Sequence, residues 1–152
     1  MRKMAAWIID MTKLKKTGAD ISEDAPKKTA KGYSVETLLS EIQNRCAELN
    51  YISETDSPAI AFRGFHEVKN LTADFLRSIN RHPSTRFETK TFAEFFDRPI
   101  RQDSRWKDLM LFLEANLANC TVFKVGKIQV DYYAAGLFGN LPIGVFIYST
   151  ET

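Results

Sequence analysis

Two histidines, His66 and His82, two cysteines, Cys46 and Cys120, and the closely spaced acids Glu54 and Asp56 are where catalytic or metal chemistry would have to begin in this 152-residue chain. Neither histidine has a cysteine or an acid at metal-ligand spacing around it. The glycine-bearing stretch GLFGNLPIG (136–144) lacks the lysine and Ser/Thr of a phosphate-binding loop and lies between strand patterns, not ahead of a helix. No nucleophile elbow and no Cys-His pairing pattern is present. The SETDSP turn carries Glu54, Thr55 and Asp56, but two acids two residues apart in a turn are not thereby aimed at one substrate. At the other end, Glu151 and Thr152 offer a carboxylate and a hydroxyl beside a terminal α-carboxylate, a compact set of hard oxygen donors. The pattern reads as a binder and not as an enzyme.

Composition bounds the class. An apolar share of 44% and a charged share of 26% are ordinary for a globular protein, and the length suits one domain with a short appendage. Net charge is +2, too mild to imply nucleic-acid binding by itself. Two cysteines cannot build a disulfide scaffold; Cys46 falls on an apolar helical stripe and reads as a buried reduced thiol. No run approaches the roughly 20 apolar residues of a membrane span. The apolar run after Arg2 and Lys3 is too short for a signal-peptide core, so the expectation is a cytoplasmic monomer without a cofactor of its own.

The elements that must position these residues follow from periodicity. Trp7, Ile8, Met11 and Leu14 have the spacing of a short helix, with the Trp7 segment docked on the body. Lys13, Lys15 and Lys16 crowd the end of that helix, the polar, aperiodic connector TGADISEDAPKKTAKG with Lys27, Lys28 and Lys31 follows, and residues 1–32 read as an extension with a flexible linker. Ser34 caps a helix to about Asn50, with Val35, Leu38, Leu39, Ile42, Cys46 and Leu49 as its buried stripe. Ala59 to Phe62 is a strand covered on both faces, and His66 to Ile79 a second helix. RFETKTF alternates as a strand, AEFF makes a helical turn, and DRPIRQDSR reads as a polar loop with Arg98, Arg101 and Arg105. WKDLMLFLEANLAN is an amphipathic helix for which Asn119 is a plausible stop. KIQVDYYA alternates Ile128, Val130, Tyr132 and Ala134 against Lys127, Gln129 and Asp131, a strand with one wet face. IGVFIYST is apolar at both parities and therefore central in its sheet, carrying Glu151 and Thr152 to the rim. Mixed elements with an antiparallel C-terminal section give an α+β class. Strands covered on both faces imply a three-layer α/β/α sandwich.

The run FLEANLANCTVFKVGKIQVDYYAAG, followed by GNLPIG and a terminal TET, resembles the C-terminal half of the nuclease A inhibitor family, small proteins that block a sugar-non-specific DNA/RNA endonuclease. VETLLSEIQNRCAELNYISETDSPAIAFRGF and FAEFFDRP resemble its earlier segments, so the likeness covers about residues 33–152. Its landmarks are Ser53-Glu54, Phe95-Phe96, Asn116-Leu117, Val125-Gly126, Gly139-Asn140-Leu141 and Glu151-Thr152. The resemblance implies a fold similar to that of plant pathogenesis-related protein 1 and an endonuclease as protein partner. It also implies that Thr152 reaches the partner's catalytic Mg²⁺ and that Glu54 engages basic groups of its active site, with Thr55, Asp56 and Glu151 alongside. Two departures stand out: the chain is near neutral where better-known members look acidic, and the 97–105 segment is shorter and lacks a tryptophan. The alternative is a domain of the same fold with another partner, nucleic acid or an acidic protein, met through the lysine-rich extension and the three arginines.

Overall fold

Ser34 and the apolar stripe after it fold as their spacing dictates. In the computed structural model, which describes residues 7–8, 32–53 and 56–151, helix α1 spans Val35–Cys46. The Ser34 hydroxyl accepts a hydrogen bond from the Thr37 amide, satisfying a donor that a helix start leaves unpaired. Leu38, Leu39, Ile42 and Cys46 are its buried residues. Two short strands, β2 (Asn50–Ile52) and β3 (Asp56–Pro58), then pair antiparallel with Tyr51 opposite Ser57. After β4 (Ile60–Arg63) come helix α2 (Leu71–Ser78), β5 (Phe87–Lys90), and helices α3 (Phe92–Gln102) and α4 (Arg105–Asn116). Three long strands close the chain: β6 (Ala118–Val125), β7 (Gln129–Phe138) and β8 (Leu141–Thr150).

With Trp7–Ile8 as β1, the main sheet has the order β1-β4-β8-β7-β6-β5, and every neighbouring pair is antiparallel. The α+β class read from the sequence holds, and β8 lies between β4 and β7, as its apolar run at both parities requires. Alternation along the strands divides the core in two. Val130, Tyr132, Ala134, Ile143, Val145 and Ile147 share one cluster with buried residues of α1, α3 and α4. Tyr133, Ala135, Phe123 and Phe146 share the other with Leu71 and Phe75 of α2. There the Phe75 and Phe123 rings stack at 3.9 Å, with Tyr133 edge-on to Phe75. Strands β7 and β8 run so close that a Cβ on Gly144 would lie 1.9 Å from the Ala134 carbonyl oxygen. Only glycine fits there.

Several sequence expectations are corrected. Trp7 and Ile8 are not helical: they extend and pair with Arg63 and Phe62, where the edge of β4 has hydrogen-bonding groups to satisfy. Met11 and Leu14 lie outside the described residues. The second helix starts at Leu71, not His66, because the Asn70 side chain caps it by accepting from the Ala73 amide. Most of the segment expected as an arginine loop is helix α3. Thr91 and Glu94 form a reciprocal capping box, and Phe92, Phe95, Phe96 and Pro99 recur on one buried face. Pro99 sacrifices one helical hydrogen bond, yet its carbonyl still accepts from the Asp103 amide. Asn119 does take up a left-handed φ of 57°, but it lies beyond the end of α4, where β6 shifts register against β7. The wet face expected on β7 is covered by α2 and its following loop. Asp131 is only 1% exposed, and Ile128 lies outside the strand at 60%.

Candidate partner-binding rim

The antiparallel register of β4 and β8 sets Ile60 opposite Phe146, so residues before Ile60 run alongside the last residues of β8. Strand β3 accordingly packs beside β8, and the β2–β3 hairpin points toward the end at which β8 finishes. The hairpin is tied down by an aromatic train. Tyr51 of β2 stacks on Phe95 of α3 at 5.5 Å and lies 5.7 Å from Tyr132 of β7. Sequence positions that are almost a hundred residues apart thereby share one rim.

Parity continues past the end of β8. Ile147, Ser149 and Glu151 point to the face covered by α3, where Lys124 and Tyr132 stand directly opposite each other on β6 and β7. The Glu151 carboxylate accepts a hydrogen bond from the Tyr132 hydroxyl at 2.5 Å and another from the Ser149 hydroxyl at 3.3 Å. Its second oxygen lies 3.3 Å from the Lys124 ammonium. The Glu151 amide donates to the Ile128 carbonyl at 2.7 Å, extending the strand-like pairing one residue beyond β8. Burial works to raise the Glu151 pKa, but the bonds from Tyr132, Lys124 and Ser149 outweigh it and hold the carboxyl below its ordinary value. For Tyr132 burial and the same hydrogen bond act together, and the phenol is pushed well above its usual range, keeping it a donor. The Tyr51 phenol is raised by burial and then by the Glu151 charge.

Of the five site residues expected from the sequence, Asp56 and Glu151 are described. Asp56 is exposed on β3, opposite Ile52, itself 43% exposed. Glu151 turns its carboxylate inward to its own protein. Glu54, Thr55 and Thr152 lie outside the described residues. Lys124 and Tyr132 were missed, although the alternation from Ile147 through Ser149 to Glu151 carried a signal: an acid whose parity matches a buried isoleucine needs partners on that face.

Elsewhere the candidate chemical groups are tied up. Arg101 pairs with Asp97 at 2.9 Å, and Arg105 with Asp103 at 2.7 Å and Glu48 at 4.0 Å, so two of the three arginines of the alternative reading have acidic neighbours. The six lysines of that reading lie outside the described residues. Nε2 of His66 shares a hydrogen bond with Asn80 at 2.7 Å, and Nδ1 of His82 accepts from the Ser84 amide at 3.1 Å. Both free thiols, Cys46 and Cys120, are pushed up to about 12, chiefly by burial, which favours the protonated thiol over the thiolate at neutral pH. Among the described residues no group of three or more His, Cys, Asp and Glu side chains could hold a metal ion, and no helix is long and apolar enough to cross a membrane.

A hairpin with Ile52 and Asp56 exposed and a braced strand end thus lie side by side on the rim of an antiparallel sheet. The family model for nuclease A inhibitor-like protein matches residues 36–152, and the chain belongs to that family. The match takes in the β2–β3 turn and runs to Thr152. A comparison with curated proteins gives no match. Membership makes the coarse function that of a nuclease inhibitor and the class of partner a nuclease.

Proposed function

We propose that the protein binds a sugar-non-specific DNA/RNA endonuclease and plugs its active site with the rim described above. The observation that carries this reading is the convergence of the β2–β3 hairpin and the end of β8. Two anionic elements brought to one edge of the sheet can enter a single cleft together. In this reading Thr152, with its hydroxyl and terminal carboxylate, caps the partner's catalytic Mg²⁺ in place of a substrate phosphate, an exchange of one hard oxygen donor for another. Glu54 meets basic groups of the same active site, and Thr55 and Asp56 extend the contact.

The test is a protein extended by a short C-terminal tag, beside one lacking Thr152, both assayed against a Mg²⁺-dependent nuclease of this class. Both changes are expected to abolish inhibition with melting temperature almost unchanged. Extension replaces the charged carboxylate by a neutral amide and also blocks entry. Full inhibition by the tagged protein would remove the metal-capping step.

A further inference from the structure

We infer that Glu151 is a positioning residue, acting from inside the inhibitor: the bracket of Tyr132, Ser149 and Lys124 around its carboxylate fixes the direction in which the chain leaves β8. This rests on the plugging function proposed above and assigns Glu151 a different task from its neighbours at the rim. Three observations support it. The carboxylate draws donors from β6, β7 and β8 at once, at 3.3, 2.5 and 3.3 Å, so rotation of the side chain breaks contacts with three strands. The Glu151 amide is paired with Ile128, so side chain and backbone are held together. The strongest donor, Tyr132, is only 4% exposed and is packed against Tyr51 and Phe95. Its ring is packed in the core, yet its hydroxyl sets the orientation of a residue at the end of β8. The same tyrosine touches Tyr51 of the hairpin, and the two halves of the rim are therefore aligned by one buried side chain.

A carboxylate held by three donors, on a residue whose amide is also paired, loses its freedom in the free protein, before any encounter, and that is how a chain end becomes preorganised. Each oxygen already has a donor from the inhibitor itself, Lys124 on one and Tyr132 on the other.

Tyr132→Phe separates the two roles, since it removes the donor, preserves the ring packing and leaves the outer surface intact. Glu151→Gln and the double variant complete a cycle. Two readouts are taken on the full chain: amide ¹⁵N relaxation at Thr150 and Glu151 in the free protein, and inhibition of a Mg²⁺-dependent non-specific endonuclease. Both single variants are expected to increase fast motion at these two amides and to weaken inhibition by about tenfold each, with the double variant little worse than either. If Glu151→Gln weakens inhibition while Tyr132→Phe leaves it at the wild-type level, Glu151 contacts the nuclease directly and the positioning role is overturned. Unchanged relaxation in both variants overturns it equally. A wild-type chain that inhibits no such nuclease would sink the proposed function, whereas the relaxation data would still decide the bracket.

Discussion

Asp131 and Glu151 are carboxylates at the same end of neighbouring strands, and the sheet separates them. Asp131 faces the α2 side, where Arg81 from the loop after that helix meets it at 2.7 Å and leaves it 1% exposed. Glu151 faces the α3 side, with three donors, Tyr132, Ser149 and Lys124, and a side chain 30% exposed. A sealed acid with a charged partner is a stability device: its loss is felt by the whole fold, because the remaining partner is left in low dielectric. A half-open acid with neutral and charged donors contributes less to folding and more to orientation, because solvent is available to either state. Burial, more than the kind of side chain, divides architecture from function here.

The comparison can be broken at its strongest point. Arg81→Met leaves the Asp131 carboxylate buried without its guanidinium, and the expected cost is about 3–5 kcal/mol of unfolding free energy in a denaturant titration. Asp131→Asn, whose abandoned Arg81 is 30% exposed and can turn to water, should cost less, about 1–3 kcal/mol. An equal cost for the two would mean that the pair is not sealed on the acid's side.

A smaller effect sharpens the other half. The folded pKa of Glu151 lies below its ordinary value of 4.5, so its ionised form adds stability above that pH, and this is lost as pH falls through the folded value. Thermal melts should therefore show the gap between wild type and Glu151→Gln narrowing below pH 4.5. A gap that widens on acidification would reverse the sign and place the carboxylate in a site that favours its neutral form. The smallest effect is expected at the exposed Arg101–Asp97 pair of α3, where Arg101→Gln should change stability by no more than about 0.5 kcal/mol. A larger loss there would show that surface pairs, too, support this fold.

Much of the scaffold was legible because its signals are local. Ser34 and the stripe behind it announce α1, and the double-parity run of β8 announces a central strand. Local signals misled where a distant residue decides. Asp131 alternates with apolar neighbours as an exposed acid would, and Arg81, the partner that permits its burial, is 50 residues away. Pro99 and the flanking arginines punctuate the chain like a loop, while the Thr91–Glu94 box and four buried side chains at helical spacing override them. At the rim, Glu151 was visible as an acid but not as one already engaged, since Tyr132 and Lys124 reach it only once three strands are in register. Sequence periodicity says which face a side chain takes and is silent on what waits there.

The pairing of Trp7–Ile8 with β4 has a consequence for how this chain is handled. These two residues precede the stretch matched by the family, which begins at position 36. A protein trimmed to that boundary would keep the hairpin and the braced chain end but would expose the backbone of Phe62 and Arg63 as an open template. Such an edge recruits strands from other copies. In the full chain Trp7 and Ile8 cover that backbone, at the side of the sheet where β4 would otherwise stand bare, and a trimmed protein is expected to self-associate more readily, a matter of colloidal behaviour and shelf life.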